Sequence, residues 1–320
     1  MVLRALGLGD LLTAVPALRG LRRALPGRRV LLATDPALRE LVELVGAVDA
    51  VVPARGLGSL SYDGPTPEVA VNLHGRGPRS HRLLGGVGAG RLVAFGCAEA
   101  AVEGPVWRRD EHEVDRWCRL VNETFGPVAD PADLRLAPPA GRAITAARPS
   151  GVVLHPGAAQ AARRWPVDRF ASVAAALVER GHRVWITGSP SERDLAEQVA
   201  ARAGVGATAV LAGETSLSEL AVVVAQAPLV LCGDTGTAHL ATAFATPSVV
   251  LFGPTPPAWW GPPAHGPHVA LWHGTDPGDP WADEPDPALL KISVDEVVGA
   301  AESLLEGPRP PTRRRPRAPR

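Results

Sequence analysis

Cys232-Gly233-Asp234-Thr235-Gly236-Thr237-Ala238-His239 lies between an apolar run, Ala227 to Leu231, and a second, Leu240 to Ala245, that suits a helix. A strand thus delivers the chain into a tight glycine-containing turn that opens a helix. The first turn of a helix presents backbone N–H groups without intrahelical partners, and the positive end of its dipole favours a phosphate or diphosphate. The same turn also suits an ordinary strand-to-helix connection capped by Asp234 or Thr235. The rest of the chain has to decide between the two.

Working outward, short apolar runs alternate with helical patterns on both sides of this stretch, which predicts parallel α/β construction. In the second half the run reads as strand Gly151 to Leu154, helix Val167 to Glu179, strand Arg183 to Thr187 and helix Ser191 to Ala203. A strand around Thr208 to Leu211, helix Ser218 to Gln226, strand Leu229 to Leu231, helix Ala238 to Phe244 and strand Ser248 to Leu251 follow. The first half reads as strand Met1 to Leu6, helix Leu11 to Leu25 interrupted early by Pro16, strand Arg29 to Ala33 and helix Ala37 to Val45. Then come strands Ala50 to Val52 and Val69 to Leu73, a short helix His81 to Leu84, strand Arg91 to Phe95 and helix Glu111 to Thr124.

At 320 residues the chain suits two domains. A Pro-, Ala- and Arg-rich segment between Gly126 and Pro149 is the natural boundary, so we expect one domain over residues 1–140 and another over 150–306. Each half reads as a doubly wound sheet, which binds ligands outside the carboxyl ends of its strands, and a two-domain version places the ligand in the cleft between halves.

The 33 basic and 33 acidic residues balance, but residues 307–320 carry six Arg and no acid, leaving a body of 27 basic against 33 acidic residues. That body gives no support to specific nucleic-acid binding. The Pro/Arg-rich tail reads as solvated and disordered, with peripheral contact to an anionic membrane surface as a minor reading. Three widely spaced cysteines, Cys97, Cys118 and Cys232, argue against a disulfide framework and a structural zinc site. With no charged leader before a long apolar stretch, the expected location is the cytoplasm, at most peripheral at the inner face of the membrane.

Gly7-Leu8-Gly9-Asp10 ends the first strand and enters a helix, but the third glycine of a dinucleotide fingerprint should stand where the chain has Leu12, so a nicotinamide site is weakly supported despite Asp35 after the second strand. Asp10 reads equally as a helix cap and as a carboxylate facing the cleft. His155-Pro156-Gly157 leads through small residues to Arg163-Arg164-Trp165-Pro166. That loop suits a diphosphate held by Arg163 or Arg164, or a solvated basic loop with Trp165 in the core. Glu192, in Gly188-Ser189-Pro190-Ser191-Glu192, reads as a ribose ligand or as a first-turn acid favoured by the helix dipole.

Taken in order, His-Pro-Gly, Arg-Arg-Trp-Pro, Gly-Ser-Pro-Ser-Glu, Leu211-Ala212-Gly213-Glu214-Thr215-Ser216-Leu217, the Gly233 to His239 turn and Thr246-Pro247 to Thr255 resemble glycosyltransferase family 9, which includes the ADP-heptose:lipopolysaccharide heptosyltransferases. The opening Leu8 to Arg19 resembles that family too, so the likeness covers residues 1 to about 300. It implies a GT-B fold, two Rossmann-like domains with an interdomain cleft, and inverting transfer from a nucleotide diphosphate sugar such as ADP-heptose to a glycan, lipid-linked glycan or small-molecule hydroxyl. By position, Asp10 is similar to the family's general base, Arg163 to its donor-phosphate cation, Glu192 to the acid near the nucleoside and Thr215 to a residue of the base pocket. Asp234, Thr235, Gly236 and His239 fall at the sugar and diphosphate site. The resemblance implies no cofactor and no metal; a helix start, Arg163 and His239 would stabilise the departing diphosphate instead.

Three departures stand out. Ala158 and Ala159 replace a hydroxyl residue common after His-Pro-Gly, Asn72 replaces a common acid, and residues 273–290 lack the cysteines many members carry. His74, Arg76, Arg79, His81 and Arg82 offer positive charge on the acceptor side, which suits an anionic acceptor. A catalytically degenerate sugar-nucleotide-binding protein and a GT-B sugar-nucleotide epimerase are the alternative readings.

Overall fold

A computed structural model of the chain describes residues 1–139 and 150–307. β1 (Val2–Leu3), β2 (Leu31–Thr34), β3 (Ala50–Pro53), β4 (Val69–Asn72) and β5 (Arg91–Val93) form one sheet in the order β3-β2-β1-β4-β5. β6 (Val152–His155), β7 (Val184–Ile186), β8 (Val230–Gly233), β9 (Ser248–Leu251) and β10 (His268–Leu271) form the other, in the order β10-β9-β8-β6-β7. All pairings are parallel; Val2 lies opposite Leu32 on one side and Val71 on the other, and Val153 opposite Trp185 and Val230. Each sheet reverses its winding beside its first strand, between β1 and β4 and between β6 and β8. At such reversals the following loops diverge, and doubly wound sheets place their crevice there, at the carboxyl ends of the strands.

The helices are α1 (Leu8–Thr13), α2 (Val15–Ala24), α3 (Arg39–Val45), α4 (Arg79–Gly85) and α5 (Glu113–Phe125) in the first half. The second has α6 (Val167–Glu179), α7 (Arg193–Ala203), α8 (Leu217–Gln226), α9 (Gly236–Phe244), α10 (Pro257–Trp260), α11 (Pro287–Leu290) and α12 (Val294–Glu306). Helices cover both faces of a parallel sheet, so its strands are largely apolar: every residue of β6, β8 and β9 is buried, with His155 and Ser248 the polar ones. Local chemistry sets the helix starts. Ser216 accepts from the Glu219 amide at 3.2 Å while Glu219 accepts from the Ser216 amide at 2.7 Å, a reciprocal cap for α8. Ser293 caps α12 by accepting from the Glu296 amide at 3.2 Å.

The expected helix Leu11 to Leu25 is two helices. Pro16 has no N–H to donate to Leu12, so α1 stops at Thr13 and α2 restarts with Pro16 in its first turn. The expected strand at Thr208 to Leu211 is a 3-10 turn, Ala207–Ala209, followed by one parallel bridge from Val210 to Ile186. The apolar run Val210 to Ala212 ends where Gly213 turns with φ +75°, and Val210 alone bridges to the sheet. β10, α10, α11 and α12 are additions. Residues 140–149 of the expected boundary and residues 308–320 of the basic tail lie outside those described. Among the described residues no helix is long and apolar enough to cross a membrane.

The two halves share a core. One apolar cluster takes in Leu12 and Leu18 of the first half and Leu240 and Phe244 of the second. Leu136 donates its amide to the Ala243 carbonyl at 2.9 Å, and His112, whose Nδ1 accepts from the Val114 amide, donates from Nε2 to the Gly261 carbonyl at 3.0 Å. Where α1 meets α9, glycine is required by space: a Cβ on Gly9 would lie 2.8 Å from His239 Cδ2, and one on Gly236 2.8 Å from Leu8 Cβ. The two helix starts that border the crevices are therefore in direct contact.

Candidate active site

β1 runs out into Arg4, and α1 begins four residues later with Asp10 on its first turn. Asp10 Oδ2 accepts from the Gly7 amide at 3.2 Å and Oδ1 lies 3.3 Å from Arg4 Nη2, so both oxygens are oriented. Asp10 thus caps its helix and also keeps about a quarter of its side chain exposed, at 27%. Burial pushes its carboxyl above the ordinary carboxylate range; Arg4 pulls it down in part, and Glu113 pushes it up.

Arg4 itself is fully buried. It donates from Nε to the Asp10 carbonyl at 2.9 Å, from Nη1 to the Leu73 carbonyl, and from Nη2 to Thr13 Oγ1 at 3.2 Å and Glu113 Oε1 at 2.9 Å. Glu113 opens α5, 5% exposed, and also accepts from Arg116 and, at 2.7 Å, from Trp117 Nε1. Burial opposes its ionisation, but Arg4 and Arg116 outweigh that and hold it below the ordinary range. Arg4, Glu113 and Arg116 escaped the sequence reading. Their only signals were a lone charge in the apolar run Val2 to Leu6 and charged residues at i and i+3 of a helix far along the chain.

Beyond β4, fully buried Asn72 organises the loop: its amide donates to Ser80 Oγ at 2.9 Å, to His81 Nδ1 at 2.9 Å and to the Gly75 carbonyl at 3.3 Å, and its Oδ1 accepts from the His74 amide at 2.9 Å. His81 is buried and bonds through Nε2 to the Phe95 carbonyl at 2.7 Å, so it fastens the loop from inside and is not on the acceptor-facing surface. His74 is half-buried on the same loop. Burial, helped by nearby Arg4, pushes its imidazole down to about 4, and its buried Nδ1 has no hydrogen-bond partner. Arg76 and Arg79, in contrast, are exposed.

Across the crevice, β8 ends at Gly233 and Asp234 precedes α9. Thr235 caps that helix, its Oγ1 accepting from the Thr237 amide at 3.3 Å. Asp234 is 6% exposed; burial pushes its carboxyl up to about 6, with Arg163 opposing and Asp10 adding to the rise. Arg163, in the 3-10 turn Ala161–Arg163, places Nη1 3.4 Å from the Asp234 carbonyl and 4.0 Å from its Oδ2. Arg164 instead donates to the Ala158 carbonyl at 2.8 Å, so of the pair it is Arg163 that turns toward Asp234. His239 packs against Gly9 and the ring of Trp260, centroids 5.9 Å apart, and burial pushes it down to about 4. It therefore contributes a neutral ring at this wall, with no positive charge.

Glu192 lies at the next crevice loop, where its Oε2 accepts from the amide and hydroxyl of Ser189, both at 2.8 Å. A Cβ on Gly157 would collide with its carboxylate, so that glycine is there for the close approach of the loop after β6. His155, buried at the end of β6 with Nδ1 3.0 Å from Thr187 Oγ1, is pushed down by burial and partly restored by Glu192. Thr215 is half-buried on the loop whose Gly213 amide donates to Gly188 at 3.0 Å, which sets it beside Glu192's segment. Asp35, the possible ribose acid of a nicotinamide site, only caps a 3-10 turn through the Ala37 amide at 2.9 Å. Asp286 likewise caps α11.

Two Rossmann-like halves with their winding reversals in contact, an oriented carboxylate on one side and a helix start with an arginine on the other, define a GT-B nucleotide-sugar glycosyltransferase. The glycosyltransferase family 9 (heptosyltransferase) profile matches residues 102–276, more than half of the chain, and the protein belongs to that family. The match spans Arg163, Glu192, Thr215 and Asp234 to His239, while Asp10 and Arg4 lie outside it. Among solved structures the chain is similar to the family 9 glycosyl transferase of Veillonella parvula DSM 2008, with TM-score 0.78 and 20% identity over 95% of this chain and 96% of that one. It is also similar to the ADP-heptose LPS heptosyltransferase II of E. coli, with TM-score 0.76 and 19% identity over 95% and 98%. E. coli heptosyltransferase WaaC with ADP gives TM-score 0.68 and 19% identity over 94% and 98%. At these identities the likeness establishes the fold. No curated protein matches the sequence.

Proposed function

We propose that the protein transfers a heptose-like or other sugar, with inversion and without a divalent metal, from a nucleotide diphosphate sugar to a hydroxyl of a glycan or lipid-linked glycan. The observation that carries this reading is the placement of Asp10: an oriented, partly exposed carboxylate whose proton affinity is raised, on α1 where that helix touches the start of α9. Asp10 takes the proton of the acceptor hydroxyl as its oxygen attacks the anomeric carbon, and the bond from that carbon to the diphosphate oxygen breaks on the opposite face. Charge then grows on the diphosphate, where Arg163 and the N-terminal turn of α9 receive it. Asp234 and neutral His239 face the sugar. Glu192 holds the ribose and Thr215 borders the base. On the acceptor side exposed Arg76 and Arg79 supply charge for an anionic group, and His74 on the same loop borders it. The activity is cytoplasmic in this reading.

The test is transfer from ADP-heptose and other nucleotide sugars across a panel of phosphorylated and neutral glycan acceptors, with wild-type protein and Asp10→Ala. Loss of a general base costs about 10²- to 10⁴-fold in kcat. Equal transfer by the Ala variant would sink the assignment of the base.

A further inference from the structure

We propose that Glu113 is a positioning residue for this transfer: through the guanidinium of Arg4, which it shares with Asp10, it keeps the Asp10 carboxylate basic enough to accept the acceptor's proton. The inference rests on the reading of Asp10 as the base.

Arg4 stands between two carboxylates, 2.9 Å from Glu113 Oε1 and 3.3 Å from Asp10 Oδ1. An arginine does not give up its proton inside a protein, so Arg4 alone beside Asp10 would make that carboxylate a weak base; an opposite charge at this range lowers a carboxylate by about 1–3 pKa units. Glu113 answers that charge from the far side. Three donors, from Arg4, Arg116 and Trp117, fix it as an anion, and the shorter of the two arginine contacts is its own. Arg4 orients Asp10 while Glu113 offsets part of its field. The rise in Asp10's proton affinity has Glu113 among its causes, in keeping with this division of labour. The charged and titratable groups around the pair are Arg4 at the end of β1, Glu113 and Arg116 on α5, His74 on the loop after β4, and Asp234, His239 and Arg163 across the crevice. Of these, only Glu113 and Asp234 bring negative charge.

A group that served packing alone would change stability and leave the titration of Asp10 where it was. The distinguishing experiment is a ¹³C-carboxyl NMR titration of aspartate-labelled protein, with the Asp10 resonance assigned as the one missing in D10N, run beside the pH profile of kcat/KM. In E113Q the Asp10 midpoint and the acid limb it governs should both move down by about one pH unit, and the plateau should fall several-fold as the base weakens. R116Q strips a cation from Glu113 and should move both upward. Circular dichroism identifies which variants fold; should E113Q not fold, the sign of the shift in R116Q decides. An Asp10 midpoint that stays put, or moves the other way, in a folded variant overturns the proposal. D10N that retains activity overturns the base itself and the proposal with it, whereas inactive D10N beside an unmoved midpoint overturns only the role of Glu113.

Discussion

Asp234 is held where a carboxylate is least comfortable, 6% exposed with Asp10 among its neighbours, and its proton affinity rises to about 6. The folded state therefore binds this proton more tightly than the unfolded one. Stability is unaffected below the ordinary carboxylate value, falls as pH climbs from about 4, and is lowest above about 6; a two-unit displacement amounts to about 3 kcal/mol. Asp234→Asn should therefore raise the melting temperature of unliganded protein by several degrees at pH 7.5 and by little at pH 4, and melting curves at the two pH values check it. A second consequence follows for the donor, whose diphosphate diester keeps its charge over this range. Its affinity should fall as pH rises through 6, because ionised Asp234 repels it, and the Asn variant should lose that dependence; titration calorimetry with an intact sugar nucleotide at pH 5.5 and 7.5 reads it. Residue types at this site were legible as a motif, since Gly233 to His239 is contiguous. Arg4 and Glu113 were not, because their meeting spans 109 positions of chain and exists only once β1 and α5 are packed.

At the scale of elements, the contact between α1 and α9 is set by Gly9 and Gly236. Gly9→Ala places a methyl group 2.8 Å from His239 Cδ2, so either the ring turns or the helices separate. Overpacking of this kind costs about 1–3 kcal/mol. The expected outcome is a lower melting temperature and a fall in kcat out of proportion to any change in donor affinity, because the carboxylate on one helix and the donor wall on the other move apart. Steady-state kinetics with donor Kd measured alongside separates the two, and an unchanged kcat in G9A would remove the contact from the mechanism. The glycine-rich turn was legible in the sequence, but the need for glycine at position 9 was not, because it comes from close packing against His239. Helix α6 and strand β9 were readable to the residue, one preceded by Pro166 and followed by Gly181, the other a serine and three apolar residues after a Thr-Pro turn. β10 was hidden because it is an edge strand, half-exposed and opened by a histidine. α12 did carry a signal, Ser293 three residues before Glu296, the signature of a helix start.

For the molecule as a whole, two parallel sheets were legible from the alternation of apolar runs, but their joining was not. Ligand that binds only the native state stabilises it by about 2.7 kcal/mol at a hundredfold excess over Kd. A nucleotide diphosphate sugar of the right base should therefore raise the melting temperature by several degrees, while its mismatched counterparts should not. A thermal-shift comparison of ADP-, GDP-, UDP- and dTDP-sugars tests this, and a flat response to all four would count against a donor site in the crevice. The shared core carries one further consequence, for how the gene can be handled. Leu12 and Leu18 are covered in part by the same cluster that holds Leu240 and Phe244, so neither half is finished on its own. A chain cut between the sheets would leave each fragment with a sticky apolar wound where its other half belongs. The two lobes are repeats in architecture yet poor candidates for modular exchange, and an engineer wishing to swap donor preference would do better to graft crevice loops than to trade lobes.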